Sequence, residues 1–73
     1  MGTFPTIKAL LKSGQLELQQ AQIAKAALES RILLAHALGC SQEKLLINAN
    51  ECVPPTLTKK FLNLIKKKKK HEP

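Results

Sequence analysis

LESRILLAHALG, residues Leu28 to Gly39, is the stretch on which the fold turns. In a helix turning about 100° per residue, Leu28, Ile32 and Ala35 point one way. Arg31, Leu34 and Leu38 form the adjoining face, and Leu33 and Ala37 lie nearly opposite. Only a narrow edge of Lys25, Glu29 and His36 is polar. A helix apolar around most of its circumference is normally enclosed by other elements. The stretch therefore predicts an all-α fold, a small bundle of four to five helices. Its central helix covers about residues 24–38, with Gly39 as a left-handed C-terminal cap.

Upstream, Thr3 or Thr6 can cap a first helix, with Pro5 in its opening turn. Ile7, Leu10, Leu11, Gly14, Leu18 and Ala21 then share about 100° of arc. Lys8, Lys12, Gln15 and Gln19 fall on the other side, and Leu16 is off the stripe. Glycine costs a helix roughly 1 kcal/mol relative to alanine. Gly14 nevertheless lies inside the apolar stripe. This favours one continuous helix in which Gly14 admits a close neighbour, over a break at Ser13-Gly14. Residues 21–25 hold the turn into the central helix, with Ile23 tucked under it.

Downstream, Ser41 is a good N-cap, and Glu43 suits the first turn of a short helix. Leu45, Leu46 and Ile47 supply its buried face, and Asn48-Ala49-Asn50 is turn chemistry. Val53-Pro54-Pro55 opens the last helix, with Pro55 at the first helical position and Val53 folded back as a staple. Leu57, Phe61, Leu64 and Ile65 recur at i, i+4, i+7 and i+8. Lys68 is next on that stripe, so the helix leaves the core there or Lys68 snorkels.

Seventy-three residues make one domain at most. A chain of this size buries only roughly 60% of its unfolded surface and retains a net stability of about 3–5 kcal/mol. The core must be aliphatic, since Phe4 and Phe61 are the only aromatics. The formal charge is +7, with five of the twelve basic residues in the run Lys66–Lys70 and the rest nearly balanced. Cys40 and Cys52 are far apart and in no metal-ligand spacing, which reads as reduced thiols of a cytoplasmic protein. No apolar run approaches the roughly 18 residues of a membrane span, and the basic-then-apolar layout of a secretory signal is missing.

Catalytic and metal constellations are not legible. His36 is the only histidine before His71 at the far end of the chain, and it has no acid at i±4 and no Ser or Cys partner at a useful spacing. Cys40 follows a helix C-terminus, where the dipole disfavours a thiolate. Glu29 and Glu43 read as isolated surface or capping acids. No glycine-rich phosphate loop follows a strand. The residues present thus read as a noncatalytic chain that holds no cofactor.

The lysine run supplies the candidate partner contacts Lys66, Lys67, Lys69 and Lys70. Its alternatives are an electrostatic contact with nucleic acid or acidic protein and favourable cations in a last helical turn. No aromatics interleave the lysines to stack bases, and no recognition-helix pattern is present. Both points weigh against nucleic-acid contact. A basic nucleic-acid module acting through Lys66–Lys70 remains the alternative function, and a helical adaptor for a partner helix is a third.

The whole pattern resembles the N-terminal domain of the HemK/PrmC family. These are S-adenosylmethionine-dependent methyltransferases that modify a glutamine of peptide-chain release factors. Leu28–Gly39 is similar to the family's acid-small-charged-aliphatic-Leu-Leu-Ala-His-x-Leu-Gly signature. Ser41 followed by Leu45-Leu46 is similar to its short third segment, and Pro55 before Phe61 to the start of its last N-domain helix. The basic run ending in Glu72-Pro73 resembles its Arg-Arg-x-x-Gly-Glu-Pro junction, with His71 where glycine is usual and with a longer lysine run.

The resemblance implies a helical substrate-recognition domain over residues 1–70, with 71–73 starting a linker to a Rossmann-like catalytic domain. That separate domain would bind S-adenosylmethionine and carry an Asn-Pro-Pro-Tyr motif. Asn50 and Pro54-Pro55 are not that motif, being separated and without a following tyrosine. No catalytic residue carries over. The implied partners are a peptide-chain release factor and the chain's own catalytic domain. Neither a membrane nor a second copy is expected.

Overall fold

The computed structural model describes residues 4–70 and contains four helices: α1 (Ile7–Gln20), α2 (Ala26–Leu38), α3 (Gln42–Ile47) and α4 (Pro55–Lys69). The fold is all-α; among the described residues the only extended pairing is an isolated antiparallel bridge between Thr6 and Cys52. Thr3 and the linker reading of residues 71–73 lie outside the described residues.

The start of α1 is closed by the chain segment before α4. Thr6 is the N-cap, its hydroxyl oxygen accepting from the Ala9 N–H at 3.1 Å. The Ile7 and Lys8 N–H groups donate to the carbonyls of Glu51 and Ala49, both at 2.9 Å. Amides that a helix N-terminus leaves unpaired are thus satisfied by backbone. Pro5 does not enter the first turn but precedes the cap, where its carbonyl accepts from the Val53 N–H at 2.8 Å.

α1 runs unbroken through Gly14, which is buried in the stripe. A Cβ there would stand 2.5 Å from Ser30 Oγ, 2.7 Å from Phe61 Cζ and 3.1 Å from Ile65 Cδ1. α2 and α4 therefore both close on α1 at the one residue without a side chain. Ser30, sealed in α2, donates its hydroxyl proton to the Leu11 carbonyl at 2.9 Å. That bond removes the penalty of a buried unpaired hydroxyl. Leu16 is exposed as expected, so Leu16→Ala is predicted to shift stability by less than about 0.5 kcal/mol, read from urea melts.

α2 begins at Ala26, later than the expected residue 24, because Lys25 sits in the left-handed region at φ 58°. Gln22 does the same at φ 61°. The Gln22 N–H donates to Gln19 O and the Ile23 N–H to Leu18 O. This is a Schellman closure of α1 with glutamine in the place glycine usually takes. A left-handed L-residue costs roughly 1–2 kcal/mol, partly offset by the extra unfolded-state freedom of glycine. Gln22→Gly is therefore predicted to raise the urea midpoint, by up to about 1 kcal/mol of stability. Gly39, at φ 69°, closes α2 by the same pattern through Cys40 N–H to Ala35 O.

The buried residues of α2 are Ala26, Ser30, Leu34, Ala35 and Ala37. Around them lie Ile7, Leu10, Leu18, Leu45, Val53, Phe61 and Ile65, with Leu11, Ile23, Leu33, Leu38, Leu57 and Leu64 at the margin. α2 is central in the sense expected, touching α1, α3 and α4. Its enclosure is incomplete, however: Leu28 and Ile32 are each 40% exposed. Three neighbours cover three sides, and the face carrying these two residues is left open.

α3 is capped by Ser41, whose oxygen accepts from the Lys44 N–H at 3.2 Å. Only Leu45 of its aliphatic trio is buried; Leu46 is 58% and Ile47 78% exposed. Successive helical residues diverge by about 100°, so two turns of helix cannot bury three in a row. α4 starts with Pro55 at its first position and Val53 turned inward. The position that would complete a staple with Val53 is Thr58, whose hydroxyl donates to the Pro54 carbonyl at 3.0 Å.

Candidate partner-binding surface

The lysine run is helical almost throughout, since α4 extends to Lys69 and Lys70 is its C-cap. Four positive side chains in the last turn complement the negative end of the helix dipole. Phe61 and Ile65 bury the opposite face. The lysines consequently fan around the helix and do different things.

Lys68 stays on the core side and snorkels. Its Nζ reaches Glu29 Oε1 of α2 at 3.2 Å. Lys69 turns toward α1, where its Nζ donates to Glu17 Oε1 at 2.6 Å. Glu29 is thus not an isolated acid. These two pairs fasten the C-terminal end of α4 to both long neighbours. Each is partly exposed, so each contributes about 0.2–1 kcal/mol and less in high salt. Among the described residues Lys66, Lys67 and Lys70 enter no ion pair and are exposed. The four candidate contacts therefore divide. Lys66, Lys67 and Lys70 face water, whereas Lys69 is engaged with Glu17.

Two shallow grooves flank this end of α4. One is lined by Ser13, Glu17, Leu62, Ile65, Lys66 and Lys69, the other by Leu33, Leu64, Lys67 and Lys68. A third groove lies between α2 and α3, where Arg31, His36 and Glu43 border Ile32, Ala35 and Leu46. This is the open side of α2. The aliphatic groups there are of the kind protein partners cover. Sequence periodicity assigned Leu28, Ile32 and Leu46 to the interior, so the exposed apolar surface was not anticipated.

His36 is exposed on the rim of that groove, Cys40 is half-buried and Cys52 exposed, both cysteines being free. Among the described residues no group of three His, Cys, Asp or Glu side chains is placed to hold a metal ion. No helix among them is long and apolar enough to cross a membrane.

Compared with known proteins, the chain matches a family model described as the PrmC N-terminal domain over residues 9–73. No curated protein and no solved structure matches it.

Proposed function

The chain belongs to the PrmC N-terminal domain family, and from that membership we propose that it is the noncatalytic recognition domain of a protein-(glutamine-N5) methyltransferase. In this reading it helps bind and orient a peptide-chain release factor in the cytoplasm. Methyl transfer falls to a separate catalytic domain that binds S-adenosylmethionine. The observation that carries the proposal is the family match across nearly the whole bundle.

In this reading the cofactor is held by that separate domain. The first amides of α1 are occupied by the Glu51 and Ala49 carbonyls. α2 opens on a left-handed lysine with no side-chain cap, and no glycine-rich turn precedes it. No step of the transfer is therefore assigned to this chain. What it offers is surface, chiefly the aliphatic groups Leu28, Ile32 and Leu46 with Arg31 and Glu43 at their border. A protein interface concentrates its binding energy in such desolvated apolar centres within a polar rim.

Adding a class-1 release factor to the isotopically labelled chain tests the proposal. Amide shifts are expected to move around Leu28, Ile32 and Leu46 and to saturate. A spectrum unchanged at high release-factor concentration would contradict the recognition role.

A further inference from the structure

The formal charge excess of this chain belongs to a single helix. Seven of its twelve basic residues lie between Lys59 and Lys70, and the remaining five are matched by the five acids of the whole sequence. α4 itself contains no acidic residue. At about 100° per residue, Thr56, Lys59, Lys60, Asn63, Lys67 and Lys70 fall within about 100° of arc, with Lys66 at the margin. All seven are exposed. Lys59 and Lys60, separated from the run in sequence, are therefore on its face. Lys68 and Lys69, inside the run, are turned off it toward Glu29 and Glu17.

We propose that this outer face of α4 binds the phosphate backbone of double-helical nucleic acid, without sequence preference. Lys59 to Lys70 spans about 16 Å at the helical rise of about 1.5 Å per residue. Duplex carries roughly one phosphate charge per 1.7 Å of axis, so that length offers more phosphates than the face has lysines. Three features favour this occupant. The centre of the face holds only Thr56 and Asn63 between the lysines, giving a protein partner no apolar anchor of the kind that dominates protein interfaces. It carries no aromatic residue to stack unpaired bases, which disfavours single strands. It also lacks the apolar side that an interfacial membrane helix would insert, because Phe61 and Ile65 are buried in the core. Leu62 is exposed only at the flank, next to Lys66.

The test is fluorescence anisotropy of labelled RNA and DNA duplexes titrated with the 73-residue chain. Saturable binding is expected at low salt, with log affinity falling against log salt at a slope of about 3.6–4.5, as for four or five neutralised phosphates. The quadruple variant Lys59→Gln/Lys60→Gln/Lys67→Gln/Lys70→Gln should lose about tenfold or more in affinity and most of the slope. It should keep its helical circular dichroism, since among the described residues none of the four lysines is in an ion pair. Lys68→Gln/Lys69→Gln changes the charge by half as much but takes it from the inward pairs. It should weaken binding less than about threefold, loss being confined to long-range field. Equal loss per lysine in the two variants would overturn the proposal. So would tighter binding to polyglutamate, to single strands or to phosphatidylserine vesicles than to duplex. So would no binding to duplex at low salt.

Discussion

Phe61→Ala is expected to leave the chain largely unfolded at room temperature, with no cooperative transition in circular dichroism. The ring is sealed from solvent and is the largest side chain that is. Its tip points into the space left by Gly14, against α1, and it is held by α4. Truncating such a residue costs about 3–5 kcal/mol, the lost transfer energy plus the cavity that remains. A domain of this size has about that much to lose. Leu34, equally sealed on α2, is predicted to follow at about 2–5 kcal/mol when replaced by alanine. Leu38 is only half-buried and should cost less than Leu34.

Gly14→Val should be comparably damaging, and Gly14→Ala should be destabilising against the ordinary trend. On an exposed helix, alanine in place of glycine gains about 1 kcal/mol. Here the new Cβ would meet Ser30 Oγ at 2.5 Å and Phe61 Cζ at 2.7 Å. Neither can simply move, because the hydroxyl is bonded to the Leu11 carbonyl and the ring is enclosed. Overpacking of this kind costs about 1–3 kcal/mol. Valine adds two more methyl groups and takes the loss to about 3 kcal/mol or beyond. Measured by urea unfolding, Gly14→Ala should cost less in a Ser30→Ala background, since atoms in contact give non-additive effects. Additive losses would remove Ser30 from the account of this contact.

What could be read from the sequence, and what could not, follows from the range of each signal. The caps at Thr6, Ser41 and Gly39 and the start of α4 at Pro55 depend on a few adjacent residues, and all four were legible. So was the role of Gly14, because a glycine on the apolar stripe of a helix implies a close neighbour. The α1–α2 boundary was soft because two non-glycine residues, Gln22 and Lys25, take the left-handed conformation. No turn-forming residue marks it. Ser30 gave no warning, since its burial depends on the carbonyl of Leu11 and the notch at Gly14, both on another helix.

Surface placement depends on longer-range information. Hydrophobicity all around α2 implies full enclosure, yet burial depends on how many neighbours exist, and Leu28 and Ile32 stay 40% exposed. A wheel can place Lys68 on the buried side, but only tertiary structure supplies Glu29 to meet it. Likewise, Lys69 and Glu17 are 52 positions apart in sequence. A run of identical residues conceals which of them are spent on the fold and which face solvent.

The proposed function sets this bundle beside the methyl-transfer chemistry and not within it. The most direct measurement mixes the chain with a class-1 release factor and radiolabelled S-adenosylmethionine, then separates the products by gel filtration. Co-elution of chain and release factor with no label on the release factor is the predicted result. Label transferred to a release-factor glutamine by these 73 residues alone would contradict it.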